Sequence, residues 1–213
     1  MTTFPSIFPT ARRHGFTLIE LLTVMAIIAI LAGLVLSVSG WAQQKAARSR
    51  AEGEIHAMSS ACESYKTDNA VYPQGPSPTA MTVGSQSIPA NATDSLDARK
   101  TGNPSSYVSA CLYLYTQLSG DLNGDGATDT GVKAYMPFKP DALAWTTQAT
   151  RTQPVKYIMD PFGYSYGYST ANLATSGSSG YNATFDLWST AGSLKTPTPG
   201  QAGDVTVQWV KNW

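Results

Sequence analysis

The sequence contains few residues of the kinds that enzyme active sites and nucleic-acid interfaces require. Only 13% of its 213 residues are charged, and 14 basic residues balance 14 acidic ones. A phosphate-binding protein carries an excess of lysine and arginine, so nucleic acid is not an expected partner. Of the two histidines, His14 lies in a basic N-terminal segment, which leaves His56. A histidine-dependent hydrolase or a zinc enzyme is therefore not expected, and His56 is predicted to be a surface or packing residue.

One long apolar segment dominates what is present. Residues 16–39 contain a single charged side chain, Glu20. As a helix rising about 1.5 Å per residue, the segment would measure roughly 36 Å, which is enough to cross a hydrocarbon core of about 30 Å. Arg12 and Arg13 precede it, and because positive residues stay cytoplasmic, they predict that the rest of the chain lies outside the cytoplasm. Cleavage at Gly15 would leave the apolar helix on the mature protein, unlike cleavage of an ordinary signal peptide.

Glu20 is an unusual residue for this position. An ionised acid within a membrane helix costs about 2.5–3.5 kcal/mol on insertion scales and is usually paired. Cleavage after Gly15 would create an amine at Phe16, one helical turn away, with which Glu20 could pair in the same chain or in a neighbouring subunit. The helix N-terminus adds a smaller favourable contribution. The alternative is a plain membrane anchor whose Glu20 reaches interfacial water.

The segment RRHGFTLIELLTVMAIIAILAGLVL resembles the prepilin-type cleavage and methylation motif of type IV pilins and type II secretion pseudopilins. The resemblance covers the basic leader, Gly15, Phe16, Thr17, Leu18, Glu20 and the apolar helix. It implies that a membrane-embedded prepilin peptidase cuts after Gly15 and methylates the amine of Phe16. It also implies that Glu20 sets the register of subunits during filament assembly.

The rest of the chain predicts an α+β fold, in which one long helix packs on a small antiparallel sheet, as in pilins. Ile55, Met58, Cys62 and Tyr65 fall on one face of the second half of the helix. The predicted organisation is given by five ranges: leader peptide 1–15, transmembrane helix 16–40, amphipathic half of the same helix 41–70, variable loop and helix region 71–153, and antiparallel β-sheet region 154–213.

The two cysteines, Cys62 and Cys111, are both predicted to face the core. Cys111 lies on the apolar face of a short helix for which Asn103 is the predicted cap and Gly120 the predicted exit. Two arrangements are compatible with this placement: a disulfide, or two buried thiols that pack against each other. The disulfide is slightly favoured because this part of the chain is predicted to be exported.

The stretch DLNGDGATD matches part of a calcium-binding loop. Asp121, Asn123, Asp125 and Asp129 occupy positions one, three, five and nine, but position twelve is Val132, which cannot supply the usual bidentate carboxylate. The same residues also favour a solvated turn without a metal. Calcium is thus the one cofactor that the sequence suggests.

The C-terminal residues 160–213 resemble the corresponding half of the major pseudopilins of type II secretion. In that subfamily the loop before the last strand holds a structural calcium ion with carboxylates among its ligands. Here Asp204 is the only acidic residue of that loop, so it is either a remaining ligand or a strand-entry residue.

The resemblance implies a structural subunit of a type II secretion pseudopilus, not an enzyme. The implied partners are copies of the same chain in a filament, other pseudopilins, the prepilin peptidase and an inner-membrane assembly platform. The implied location is the inner membrane, spanned once with the N-terminus in the cytoplasm, and a periplasmic filament. The alternatives are a type IV pilin of an adhesion or motility fibre and a membrane-anchored binding module.

Overall fold

The computed structural model describes residues 15–175, 177, 179–201 and 203–213. The chain divides into two units, the first ending at Gln44 and the second running from Lys45 to Trp213. Of the predicted leader, only Gly15 belongs to the described residues; Arg12, Arg13 and the rest of the leader lie outside them.

Helix α1 runs from Leu18 to Asn69 and is 52 residues long. It is rich in leucine and alanine, contains no proline, and therefore consists largely of good helix formers. Ala70 then takes a left-handed conformation with φ 62°, while its N–H donates to the carbonyl of Lys66 at 2.8 Å. This backbone arrangement ends the helix, and Pro73 follows shortly after it. The long helix predicted from the sequence is confirmed.

The part of α1 in the second unit supplies one wall of the core. Ile55, Met58 and Cys62 are at most 1% exposed, and Tyr65 packs against the same cluster. These residues are the apolar face that their spacing predicts. His56 lies off that face and is exposed.

Helix α2, Val108–Ser119, lies at the centre of the second unit, where nine of its residues are buried. A 3₁₀ turn, Pro104–Ser106, precedes it, and the side chain of Asn103 accepts a hydrogen bond from the N–H of Ser105 at 3.1 Å. Gly120 ends the helix in the left-handed conformation, with φ 69°. The predicted exit at Gly120 is confirmed, whereas Asn103 caps the preceding 3₁₀ turn and α2 itself has Tyr107 at its N-cap, without a side-chain hydrogen bond.

Seven strands form three separate antiparallel groups among the described residues. The groups are β1 (Met81–Val83) with β2 (Gln86–Ile88), β3 (Leu143–Thr147) with β4 (Thr152–Ile158), and the order β5 (Gly167–Ser169), β6 (Asp186–Ser189) and β7 (Val210–Lys211). The α+β class is confirmed. The boundary drawn at residue 154 differs from the structure, because β1, β2 and β3 precede it.

The C-terminal end of the predicted β-sheet region 154–213 is only partly strand. Residues Val205–Gln208 form a 3₁₀ turn, and only Val210–Lys211 pair as β7. The side chain of Asp204 accepts a hydrogen bond from the N–H of Thr206 at 3.1 Å. Such a bond favours a turn over an extended strand, which explains the difference.

A second, smaller cluster of aromatic side chains lies beside the three-stranded group. The Trp188 ring meets that of Tyr107 edge-on, with 5.1 Å between ring centroids, and stacks on Trp209 at 6.1 Å. Gly167 makes this packing possible, because a Cβ at that position would lie 2.1 Å from Cε2 of Trp188.

Candidate functional site

The predicted processing site lies just before the first turn of α1. Gly15, Phe16 and Thr17 have no regular secondary structure, and Phe16 is 85% exposed. Space is open around Gly15, where an added Cβ would meet nothing within 4 Å. Proteases act on accessible segments of this kind, and cleavage between Gly15 and Phe16 stays a prediction.

Thr17 and Glu20 form a capping box at the start of α1. The N–H and the hydroxyl of Thr17 each donate to Oε2 of Glu20 at 2.8 Å, and the N–H of Glu20 donates to the Thr17 hydroxyl at 3.3 Å. The arrangement satisfies two N–H groups that lack partners within the helix. The T-x-x-E spacing is a known signature of this cap, so sequence reasoning could have identified Thr17 as the partner of Glu20.

The large apolar side chains of the first unit are exposed from Phe16 to Val35. Thirteen large apolar side chains between Phe16 and Val35 are 51–85% exposed. Among the described residues, α1 is the one helix long and apolar enough to cross a membrane, with a mean hydropathy of 2.8 in its most apolar window. Since so much apolar surface is unfavourable in water, a lipid environment is its natural complement.

Asp121 organises the loop that resembles a calcium site. Its Oδ1 accepts from the N–H of Gly124 at 2.6 Å and of Asp125 at 3.2 Å. Its Oδ2 accepts from the Tyr115 hydroxyl at 2.6 Å and the N–H of Gly126 at 2.7 Å. The carboxylate is fully buried, so these four bonds replace its hydration.

The other predicted ligands of this loop also bond within it. Asp125 accepts from the N–H of Ala127 at 2.9 Å, and Asp129 accepts from the N–H of Leu122 at 2.8 Å and from the side-chain amide of Asn123 at 2.9 Å. Within the described part of the chain, no three His, Cys, Asp or Glu side chains are grouped as metal ligands. Calcium binding to this loop stays a prediction.

Asp204 caps the C-terminal 3₁₀ turn. Besides the N–H of Thr206, its carboxylate accepts from the Thr206 hydroxyl at 2.7 Å and from the N–H of Thr198 at 3.3 Å. These bonds lower the pKa of Asp204 against the raising effect of desolvation. The loop offers no second carboxylate, so a calcium ion here would take its other ligands from carbonyl and hydroxyl oxygens, and calcium binding at Asp204 stays a prediction.

Cys62 and Cys111 are free thiols, and the slightly favoured disulfide is not formed. The two side chains belong to the same core cluster but have different partners. The Cys111 thiol donates to the carbonyl of Ile158 at 3.6 Å, and burial raises its pKa to about 11. Burial also raises the pKa of the Cys62 thiol, which lies beside Tyr168. Both cysteines therefore act as buried apolar residues.

Glu54 adds a polar link that the sequence did not indicate. It accepts from the buried Tyr166 hydroxyl at 2.6 Å, and it pairs with Arg50 at 2.7 Å. This link joins α1 to the segment before β5 within the second unit.

Comparison with known families identifies the class of the N-terminal segment. Residues 10–36 match the prokaryotic N-terminal methylation motif, which places Gly15, Phe16, Thr17 and Glu20 within a prepilin-type segment.

The curated relatives that match the chain are type II secretion system core proteins. The chain is 40% identical over 62 residues to the type II secretion system core protein G of Pectobacterium carotovorum subsp. carotovorum, a match that covers 29% of this chain and 40% of the relative. It is 39% identical over 64 residues to the protein of the same name from Escherichia coli K12, covering 30% and 44%. For the Klebsiella michiganensis protein the identity is 35% over 80 residues, covering 38% and 56%.

The chain thus spans about half the length of the curated relatives that it matches. No solved structure matches it significantly. The methylation motif, the apolar helix and these relatives together support the interpretation of the chain as a pseudopilin with an N-terminal membrane anchor.

Proposed function

We propose that this protein is a structural subunit of a type II secretion pseudopilus. A prepilin peptidase cuts after Gly15, and the apolar helices of many copies then leave the bilayer and bundle into the core of a periplasmic filament. The partners are other copies of this chain, other pseudopilins and an inner-membrane assembly platform. The Thr17–Glu20 cap, within a matched methylation motif, is the observation that carries the proposal.

The cap explains how the Glu20 carboxylate is stabilised both before and after cleavage. Before cleavage, Thr17 stabilises the Glu20 carboxylate with two hydrogen bonds at 2.8 Å. Cleavage adds a positive amine at Phe16, the residue adjacent to the cap, and makes an ion pair available. An unpaired acid in lipid costs about 2.5–3.5 kcal/mol, so the assembly that pairs Glu20 with an amine is favoured over one that leaves it unpaired. We infer that this difference selects the register between subunits.

Substitution at Glu20 tests the proposal. Glu20→Ala keeps the apolar helix and should leave membrane insertion intact, but it removes the group that selects register, so filaments and secretion should be lost. Glu52→Ala is a matched control, because Glu52 is an exposed acid of the same helix outside the apolar segment. Mass spectrometry of the native protein should show Phe16 as a methylated N-terminus. Normal filaments from Glu20→Ala, or an uncleaved leader, would contradict the proposal.

A type IV pilin remains the second candidate, because the same cleavage motif serves both classes. The positions of Cys62 and Cys111 favour a pseudopilin over a pilin, because pilins often carry a cysteine pair near the C-terminus. Deletion of the gene separates the two candidates: a secretion subunit is required for export of proteins across the outer membrane, whereas a pilin is required for adhesion or motility.

A further inference from the structure

Two side chains mark the ends of the uncharged part of α1 in the first unit. Glu20 stands before residues 21–40, which carry no charge, and Trp41 follows them. The step from residue 20 to residue 41, at about 1.5 Å of rise per residue, is roughly 32 Å. Transmembrane helices are tilted by about 20° on average, so this step crosses about 30 Å of bilayer, the thickness of a typical hydrocarbon core. The spacing of Glu20 and Trp41 therefore matches the distance between the two interfaces of a membrane.

The carboxylate of Glu20 is only half satisfied within the chain. Its Oε2 accepts both hydrogen bonds from Thr17, at 2.8 Å, whereas no described residue donates a hydrogen bond to its Oε1. A carboxylate oxygen without a donor is unfavourable in hydrocarbon, where no water replaces the missing bond. The next polar side chain, Thr23, differs, because its hydroxyl donates to the carbonyl oxygen of Ile19 at 2.7 Å and needs no water. The change from water to lipid is therefore expected within one helical turn after Glu20.

Trp41 has the properties of an interfacial residue at the other end of this segment. It is 65% exposed, and Gln43, Gln44 and Lys45 follow it, so the apolar sequence ends here. An indole ring combines a large apolar surface with one N–H donor, and tryptophan is accordingly enriched where lipid headgroups meet acyl chains. Such residues set how deep a helix lies in the bilayer.

We propose that Trp41 lies at one interface of the bilayer and holds Glu20 at the opposite interface. Trp41 is then a positioning residue: its preference for the interface opposes sliding of the helix, and so fixes the depth of the Glu20 carboxylate and of the predicted cleavage bond before Phe16. The inference requires only the membrane anchor and is independent of the choice between a pseudopilus and a pilus. It leaves the pairing proposed for a filament unchanged, because a bundle of apolar helices offers Glu20 no water.

Fluorescence quenching measures the depth of Trp41. The full-length protein would be reconstituted in phosphatidylcholine vesicles whose acyl chains carry bromine either near the headgroup or near the bilayer centre. Trp41→Phe is the control, because subtracting its signal removes the fluorescence of the other four tryptophans, all of which lie in the second unit. We expect the shallow bromine to quench the Trp41 signal more strongly. Stronger quenching by the deep bromine, or none by either, would overturn the inference.

A nitroxide label measures the depth at the Glu20 end. Ile19→Cys and Ile30→Cys are a matched pair, since both isoleucines are 65% exposed and only the first lies beside Glu20. Cys62 and Cys111 are buried and should not take the label. A water-soluble nickel complex should relax the label at position 19 more strongly than at position 30, and oxygen should do the reverse. Equal accessibility at the two positions would contradict the placement.

Trp41→Ala, combined with the label at position 19, tests whether Trp41 fixes the depth. Without the indole ring, the preference that opposes movement of Glu20 further into water is lost, so the nickel accessibility at position 19 should rise. Val35→Ala is the control, because Val35 is also an exposed apolar residue of this helix, at 69%, but lies between Glu20 and Trp41. It should leave the accessibility unchanged. An equal response to both substitutions, or no response to Trp41→Ala, would show that Trp41 does not set the depth.

Discussion

Asp121 and Asp160 are a matched pair of buried carboxylates. Asp→Asn should strongly reduce the free energy of unfolding at the first and change it little at the second. Both are at most 3% exposed. The two oxygens of Asp121 both accept from backbone N–H groups, those of Gly124 and Gly126 among them. Asp160 instead uses Oδ1 for the N–H groups of Phe162 and Tyr164, and Oδ2 for the Ser189 hydroxyl. An asparagine has one accepting oxygen, so it can replace Asp160 but not Asp121.

The magnitudes follow from these bonds. Asp121→Asn directs an amide NH₂ at an N–H group, which leaves a buried donor unpaired, and it weakens the remaining bonds from charged to neutral. With about 1.5–3 kcal/mol for each hydrogen bond to a charged group, we expect a loss of roughly 3–5 kcal/mol. For a unit of this size the melting temperature should fall by roughly 10 °C. Asp160→Asn keeps both N–H bonds, and its NH₂ donates to Ser189, so the change should stay within about 1 kcal/mol.

Thermal and urea unfolding of the full-length protein in detergent measures both variants, with and without a chelator. If the hydrogen bonds of Asp121 alone hold the loop, the chelator should leave the wild-type melting temperature unchanged. Equal stability of the two variants would refute the reasoning. A wild type that falls to the level of Asp121→Asn in the chelator would show that the carboxylate acts through a bound cation.

Four further results are expected. Burial raises the pKa values of Asp160 and Asp186, so both carboxyl groups bind protons more tightly in the folded state. The stability of the wild type should therefore fall as pH rises above their ordinary pKa of 3.8. The free energy of unfolding of Asp160→Asn, measured by urea titration, should increase relative to that of the wild type from acid to neutral pH. At pH 8 an alkylating reagent should modify neither Cys62 nor Cys111 in the folded protein and both after unfolding without reductant, whereas a disulfide would leave both unmodified. Gly167→Ala should destabilise the protein by about 1–3 kcal/mol in the same unfolding assay, because its Cβ would overlap Trp188; Gly53→Ala is the control, because Gly53 lies in α1 with open space around it and without a positive φ. Calcium titration in a calorimeter should produce heat that Asp125→Asn reduces if the loop Asp121–Asp129 binds the ion, and the absence of heat would remove the calcium prediction.

Helices α1 and α2 could be predicted from the sequence because their signals are local. Fifty-two residues without proline define α1, and Asn103 and Gly120 mark the ends of the α2 region. The strands are harder, since β3 and β4 pair with two register shifts. The C-terminal residues alternate in sequence like a strand, yet Val205 and Thr206 are buried while Val207 and Gln208 are exposed. Burial that changes every two residues is typical of a turn, and the hydrogen bonds accepted by Asp204 stabilise that turn.

The candidate site was predictable in part. The motif identifies the residues Gly15, Phe16 and Glu20, and the T-x-x-E spacing indicates the Thr17–Glu20 pair, but which atoms bond needed the structure. The state of Cys62 and Cys111 was not predictable, because helix spacing places both in the core without fixing which atoms meet. Here the Cys111 thiol donates to the carbonyl of Ile158, and no disulfide joins it to Cys62.

The position of the helix cap has a consequence for maturation. All three of its hydrogen bonds join Thr17 and Glu20, on the C-terminal side of the predicted cleavage bond between Gly15 and Phe16. Removing the leader therefore takes no hydrogen bond away from this cap, and α1 can begin at Leu18 in the precursor and in the product alike. Cleavage would then change the charge at the helix end without changing its geometry. An assembly machine could therefore distinguish a processed subunit from an unprocessed one by charge alone.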